Sequence, residues 1–490
     1  MKTPLIYVAL IAQVALLCAC SSTRMVSDEQ YLLNKVKIHL DDKHIDGEAI
    51  EGIVKQHPNR RLMGIFRFHL WIYNSVSRKK DKRETKFRSW LKNTVGEPPV
   101  ILDDALTKKT SIQVSRYLEN KGYFNNHISD STFYKGKKAT VHYFIKPGSP
   151  YTIRRFSFAI SDTSLVKPIK ICSKKSLVLQ GNHYDEDILA MDRERLSHQM
   201  RNLGYYRFSK EYIQFRIDST LGNHKLDVKM DIDDPVIKVK SPTGTDTLIN
   251  GKHELYYIRD IYINTAYDAR NSSSAVADTL HIDEYHFLNP ARLRYKPEVI
   301  LRNIFISGSD FYREERVDYT QKRLSALRTF KFTNITFRQV DAEDGENMLD
   351  CYINMIPTPS QSITLETQGT NRSGDLGISG NVSFRNKNTF RGAEVLEINL
   401  MGGMEVQTIQ NAASADVSGT SGIAQQLNAD IPFNTLELGA DASLSVPRFV
   451  LPFHIKFLPT FYDPKTNIRL SYSFQQRPDY SRNIATISYG

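Results

Sequence analysis

Strict alternation of apolar and polar residues runs through the last quarter of the chain. Leu436, Leu438, Ala440, Ala442, Leu444 and Val446 alternate with Glu437, Gly439, Asp441, Ser443 and Ser445. Ile468, Leu470, Tyr472 and Phe474 alternate with Arg469, Ser471, Ser473 and Gln475. The same period runs through Ile378/Val382/Phe384 and Leu396/Ile398/Leu400, begins at Ile363/Leu365 and ends at Ala485/Ile487/Tyr489. A period of two is that of a strand with two unlike faces. The pattern predicts about six strands, several near the ~9–11 residues with which a tilted strand crosses a membrane. A soluble β-sandwich with one buried face produces the same alternation.

Upstream the period changes. A unit of amphipathic helix, Gly/aromatic turn and β-hairpin recurs three times. The first copy reads Ser115-Arg116-Tyr117-Leu118-Glu119-Asn120-Lys121-Gly122-Tyr123-Phe124. The second runs Leu196 to Phe208 through Asn202-Leu203-Gly204-Tyr205-Tyr206. The third, Leu324-Ser325-Ala326-Leu327-Arg328-Thr329-Phe330-Lys331-Phe332, has lost the glycine. Each unit is preceded by a strand: Tyr31–Leu40, Tyr151–Phe158 and Tyr256–Ile263. Helices are predicted near Gly47–Lys55, Leu165–Ile171, Glu186–Asn202 and Arg313–Arg328, with Asp103 and Asp104 suited to the N-terminal dipole of the first repeated helix. The hairpins are His127–Tyr134 with Ala139–Lys146, Tyr212–Asp218 with Leu226–Asp231, and Thr333–Gln339 with Met348–Met355.

Two stretches interrupt this scheme. Residues 60–100 read as an insertion, apolar and aromatic from Leu62 to Tyr73 and basic from Arg78 to Arg83. Phe66, Trp71 and Tyr73 beside that cluster fit an anionic membrane surface. The alternative, which the pattern favours, packs them inside the first module. The other stretch is a loop of about 30 residues after Ile263, containing Asn271-Ser272-Ser273-Ser274; loops of that length are usually functional or disordered.

Charge is divided unevenly. Residues 361–490 carry 10 Lys and Arg against 11 Asp and Glu, a net of −1, leaving +12 for residues 1–360 out of the chain's +11. Anionic lipid or acidic clients suit the basic modules. The N-terminus argues against nucleic acid. Lys2 followed by the apolar run Leu5–Leu17 has the form of an export signal and is too short for a permanent span. It ends in Leu17-Cys18-Ala19-Cys20, which resembles a bacterial lipobox with Cys20 as the acylated residue; bulky Leu17 makes Cys18 a poor fit. An ordinary signal with an incidental cysteine is the alternative. Cys172 and Cys351, one in each of two repeats, are expected to be isolated buried thiols.

Motifs for catalysis are missing: the sequence holds no Gly-x-Ser-x-Gly, Walker loop, His-Glu-x-x-His or Cys-x-x-Cys. His44 near Asp41, Asp42 and Asp46, with His39 behind it, reads as a solvated loop rather than a metal site. Asp231, Asp233 and Asp234 before Pro235 read as a strand end rather than an acid–base pair. The expectation is a protein without enzymatic activity, cofactor or metal.

In this order the parts resemble the BamA/TamA family of outer-membrane assembly proteins. Lys121-Gly122-Tyr123-Phe124, Lys146-Pro147-Gly148-Ser149-Pro150-Tyr151-Thr152-Ile153 and Arg201-Asn202-Leu203-Gly204-Tyr205-Tyr206 look like POTRA domains handing on to their successors. Asn386-Lys387-Asn388-Thr389-Phe390-Arg391-Gly392-Ala393-Glu394 and Pro447–Phe453 resemble the family's early barrel. The lipobox is similar to that of lipoprotein-type members in Bacteroidetes-like bacteria. The fold so implied is α+β: POTRA-like β-α-α-β-β repeats followed by the first strands of a transmembrane antiparallel β-barrel. The divisions expected are a signal peptide at 1–19, a linker at 20–30, modules at 31–148, 149–238 and 239–358, and barrel strands at 359–490. Six strands are fewer than the roughly 8 of the smallest outer-membrane barrels, so the barrel is expected to be incomplete in this sequence, without the family's later strands and aromatic C-terminal signal.

The resemblance implies a protein of the outer membrane with its modules in the periplasm, which inserts or translocates other outer-membrane proteins. Its partners would be outer-membrane lipid, unfolded outer-membrane protein clients and periplasmic or inner-membrane proteins. By analogy with the fold, the second strand of each module is an open edge to which an extended client adds. Ile128, Ile213, Phe215, Ile335 and Phe337 are the candidate client contacts on those edges, unless neighbouring modules cover them. A lipid-anchored periplasmic scaffold that transports nothing is the competing expectation, and a two-partner secretion transporter a further one.

Overall fold

The computed structural model describes residues 22–42, 45–64, 66–77, 86–240, 246–268, 278–288, 291, 293–341, 347–372, 375–406, 434–450 and 465–490. They divide into two compact units, Met1–Ser197 with Ser209–Lys252, and His198–Phe208 with His253–Gly490.

The first unit contains two modules of one topology. In the first, β1 (Leu32–Leu40) is followed by α1 (Gly47–Ile53), α2 (Phe68–Ser77), α3 (Lys86–Trp90), α4 (Asp104–Asn120) and the hairpin β2 (His127–Lys135) and β3 (Lys138–Lys146). The sheet order is β1-β3-β2, with β1 parallel to β3 and β2 antiparallel to it. Caps set the helix starts: Asp46 accepts from Glu48 N, and Asp103 from Ala105 N and Leu106 N. Leu33, Val114, Leu118, Val141, Tyr143 and Ile145 form the core between α4 and the sheet. The second module repeats the arrangement with β4 (Thr152–Ile160), α5 (Val166–Ser173), α6 (Glu186–Asn202), β5 (Ile213–Asp218) and β6 (Lys225–Ile232), in sheet order β4-β6-β5. A hairpin absent from the sequence reading follows, β7 (Val236–Lys240) with β8 (Asp246–Asn250).

The second unit begins with the same plan. β9 (Tyr257–Asn264), α7 (Pro297–Leu301), α8 (Glu314–Ala326), β12 (Phe330–Asp341) and β13 (Asn347–Pro357) make the third module. The long loop is not structureless. Part of it forms β10 (Thr279–Ile282) and β11 (Tyr285–Leu288), which extend the sheet to β10-β11-β9-β13-β12; residues 269–277, with Asn271–Ser274, lie outside the described residues. Ile258, Ile261, Ile263, Leu324, Cys351 and Ile353 are in its core.

The six alternating stretches are six strands of one antiparallel meander: β14 (Gln361–Arg372), β15 (Asp375–Asn386), β16 (Val395–Glu405), β17 (Thr435–Val446), β18 (Thr466–Gln476) and β19 (Ser481–Tyr489). The register aligns like with like. One row across all six strands is Ile363, Phe384, Ile398, Ala442, Leu470 and Ile487; the next on that face is Leu365, Val382, Leu400, Ala440, Tyr472 and Ala485. On the opposite face Arg385 pairs with Glu397 at 2.8 Å and Arg469 with Asp441 at 2.5 Å.

Candidate functional site

The features that bear on binding are the open strand edges, the joints between elements and the two faces of the six-stranded sheet. Among the described residues, β2, β5 and β12 each pair on one side only. Their outer N–H and C=O groups present a template for another strand. The five apolar residues singled out on these strands turn toward their own modules. Ile213 is fully buried; Ile128, Phe215, Ile335 and Phe337 are partly buried against the cores beneath them. The side chains that reach outward are the alternate ones, among them Phe133 on β2, Arg216 on β5 and Phe332 on β12. A client added to these edges would meet backbone and these outer residues. Alternation around Phe332 carried that signal in the sequence.

The Gly/aromatic turns are joints. Gly122 sits at φ +82°, and a Cβ there would stand 2.7 Å from the Tyr184 carbonyl oxygen. Tyr151 N donates to Gly122 O at 2.9 Å, and Tyr184 N to Tyr151 O at 3.0 Å. Lys121 Nζ donates to Asp185 Oδ2 and Asp187 Oδ2, each at 2.8 Å. Burial alone would lower the Lys121 pKa; hydrogen bonds to the two carboxylates outweigh it and hold the ammonium well above its ordinary value. Gly204, at φ +104°, repeats the device within the second unit: Tyr256 N donates to its carbonyl at 2.9 Å, and a Cβ would meet Leu255 Cδ2 at 3.1 Å and Phe311 Cδ1 at 3.2 Å. The third copy keeps the conformation without the glycine. Arg328 takes the left-handed position at φ +56°.

The stretch 387–394, quoted above for its resemblance to an early barrel, is the β15–β16 turn and docks on the third module. Lys296 N donates to Arg391 O at 2.9 Å, Asn388 Nδ2 to Arg294 O at 2.8 Å and Arg391 Nη2 to Leu293 O at 3.1 Å. Glu394 closes the turn by accepting from Phe390 N and Gly392 N, and Ala393 is buried in the module's core. Nothing in the alternation marked this contact.

On the six-stranded sheet the apolar rows range from partly exposed, at Phe384, Ile398 and Ala442, to largely exposed. Ile363 is 74% exposed, Leu365 73%, Leu470 57% and Ile487 78%. Among the described residues no element covers that face, as the second sheet of a sandwich would. No helix among them is long and apolar enough to cross a membrane, which says nothing of strands.

The remaining candidates are quickly placed. Cys20 and His44 lie outside the described residues. His39 Nε2 meets His142 Nδ1 at 3.0 Å across the β1–β3 pair. Among the described residues no three His, Cys, Asp or Glu converge as metal ligands. Asp231 belongs to β6 and is paired with Arg216. Cys172 and Cys351 are buried free thiols; burial pushes both pKa values up.

No family model matches the chain, and no curated protein is similar to it. Several solved structures match at low identity. POTRA domains 3–5 of Haemophilus influenzae BamA match at 10% identity and TM-score 0.31, over 67% of this chain and 99% of that one. BamA from Haemophilus ducreyi lacking POTRA domains 1–3 matches at 11% identity and TM-score 0.32, over 69% and 58%. CdiB from Acinetobacter baumannii matches at 10% identity and TM-score 0.27, over 79% and 66%. The match thus spans little more than half of the H. ducreyi chain. The fold class stands on the chain's own strand order: POTRA-like β-α-α-β-β repeats followed by an antiparallel sheet of barrel type.

Proposed function

We propose that the chain is an outer-membrane assembly or translocation factor. Its six-stranded sheet is part of a membrane wall, and its modules stand in the periplasm. They receive unfolded outer-membrane proteins by strand addition at β2, β5 and β12. One observation carries the proposal: continuous apolar rows cross all six strands on an uncovered face, while the other face holds ion pairs. Water penalises the first face, and lipid penalises the second. A wall between lipid and an aqueous lumen satisfies both. Open edges on the attached modules suit the binding of unfolded chains, because main-chain pairing tolerates any sequence. The activity is non-covalent, and the partners are lipid, clients and periplasmic or inner-membrane proteins. Acylation at Cys20 would add a second attachment.

The test places a photo-crosslinking residue at Thr336, an outward position of β12, in the native bacterium. Crosslinks to unfolded outer-membrane proteins are expected, together with loss of those proteins from the outer membrane on depletion. Crosslinks only to folded periplasmic proteins, with outer-membrane composition unchanged, would instead leave a lipid-anchored scaffold. Proline at Ile335 and proline at Thr336 refine the result. Neighbouring residues of an edge strand send their N–H groups to opposite sides. One of the two prolines breaks the pairing with β13 and weakens the module. The other removes only a free donor and should lower crosslinking in a folded protein.

A further inference from the structure

We infer that the aromatic helices of the first module's insertion, within residues 66–77 and 86–95, form a membrane-surface docking element that selects anionic lipid. Three observations on the page lead there.

The insertion divides its apolar residues between two destinations. Leu70 and Ile72 are buried, and Leu70 packs with Val26 and Leu32. That much of the segment belongs to the core. The large aromatics do not follow. Phe66, Phe68 and Trp71 cluster with ring centroids 6.2–6.4 Å apart, Phe68 and Trp71 stacked and Phe66 tilted against both, and Phe87 stacks on Trp90 at 6.0 Å. Trp71 is 39% exposed, Phe87 67% and Trp90 51%. Indole rings held at a protein surface match the interfacial zone of a bilayer, where one edge meets apolar chains and the other meets water.

Charge supplies the choice of partner. The described residues 60–64, 66–77 and 86–95 contain six Lys and Arg and no Asp or Glu, a net of +6 where the whole chain carries +11. More than half of the chain's excess charge therefore lies in one aromatic segment. That combination fits a negatively charged headgroup layer and repels a basic one.

Position supplies the reach. Val26 is buried against Leu70, and the six residues from Cys20 to Val26 span at most about 20 Å when fully extended. An acyl chain on Cys20 would therefore hold α2 beside the bilayer. This distance argument alone rests on the proposed acylation; the aromatic and charge arguments do not.

The chain offers a direct probe, because its two tryptophans, Trp71 and Trp90, are both in the insertion. The full chain is reconstituted into vesicles whose acyl chains carry bromine, of either zwitterionic phosphatidylcholine or phosphatidylcholine with phosphatidylglycerol. In the anionic vesicles tryptophan emission should shift to the blue and fall by at least ~2-fold, as expected for rings seated ~5–10 Å into the interface. In the zwitterionic vesicles emission should stay close to that of unbrominated controls. Salt near ~1 M, where screening reaches ~3 Å, should remove the difference. Water-like, unquenched emission in both lipids would overturn the inference and leave the aromatics for a protein partner. The Cys20→Ala chain separates this inference from acylation. Quenching retained in that variant supports the docking element whether or not the native Cys20 proves acylated. Quenching lost in it, with the wall still inserted, would assign the contact to the acyl chain and overturn the inference. Lys86→Gln with Lys92→Gln should weaken the preference for anionic lipid without changing the fold; an unchanged preference would count against it.

Discussion

The module sheets and the six-stranded sheet use the same alternation to opposite ends. In β3, Ala139, Val141, Tyr143 and Ile145 are buried under α4, and the residues between them face outward. In β14 and β18 the apolar set is exposed instead of buried, and on the other face Arg469 of β18 pairs with Asp441 of β17. The difference lies in what the chain places between strands. A crossover helix gives an apolar face something to pack on. The meander has no helix between its strands among the described residues. Alternation specifies a two-faced strand, and the connections decide which solvent each face meets.

The widest contrast is in the response to core and surface substitutions. Leu118→Ala, in the fully buried core of the first module, should cost about 2–5 kcal/mol in urea unfolding. In a soluble protein, changing half-exposed Leu400 to arginine would be nearly neutral. Leu400 stands near the middle of β16, and in a membrane wall Leu400→Arg should cost about 2–4 kcal/mol. Loss of heat-resistant, membrane-inserted protein would show it. A neutral Leu400→Arg would break the comparison and return the sheet to water.

The turns between helix and hairpin sharpen the comparison further. The first binds the start of the next module through Tyr151 N and Gly122 O, and the third binds Thr358, just before the six-stranded sheet, through Thr329 O. Gly122→Ala forces a left-handed backbone on a side chain that meets the Tyr184 carbonyl. It should cost about 1–3 kcal/mol and loosen the joint, read as faster proteolysis near residue 150. Lys121→Met should cost about 1 kcal/mol at neutral pH. Its pH dependence follows from the raised pKa. The stability this ammonium adds is fully present below its ordinary value of 10.5 and is lost as pH rises through the higher folded value. The gap in melting temperature between wild type and Lys121→Met should therefore be constant through neutral pH and close only in strong alkali. The smallest effect has the opposite sign. Arg328 already occupies the glycine position, so Arg328→Gly should stabilise the third module by about 1 kcal/mol.

Much of this was legible in advance where a period was sustained. All six strands of the meander and the β-hairpins of the repeats follow from residues such as Leu436–Val446 and Ala139–Lys146, because a long two-residue period has few other solutions. The β10–β11 hairpin was hidden: Thr279-Leu280-His281-Ile282 is too short to show a period and sits in a polar loop. β7 and β8 were not anticipated within the second and third modules, although Val236-Ile237-Lys238-Val239-Lys240 is rich in strand formers. The edges were anticipated from the resemblance. The side chains named on them were not the outward ones, because apolar residues on an edge strand still serve the core beneath. Arg328 gave no warning, since only a glycine announces a left-handed turn from sequence.

The buried β15–β16 turn has a consequence for the order of events during synthesis. Ala393 is part of the third module's core, yet it lies 36 residues beyond Pro357, the end of β13. That module therefore finishes folding only after the second and third strands of the six-stranded sheet have emerged and paired. The third module becomes a jig on which the six-stranded sheet is started, and the first hairpins of that sheet are positioned before any later strand has a neighbour to join.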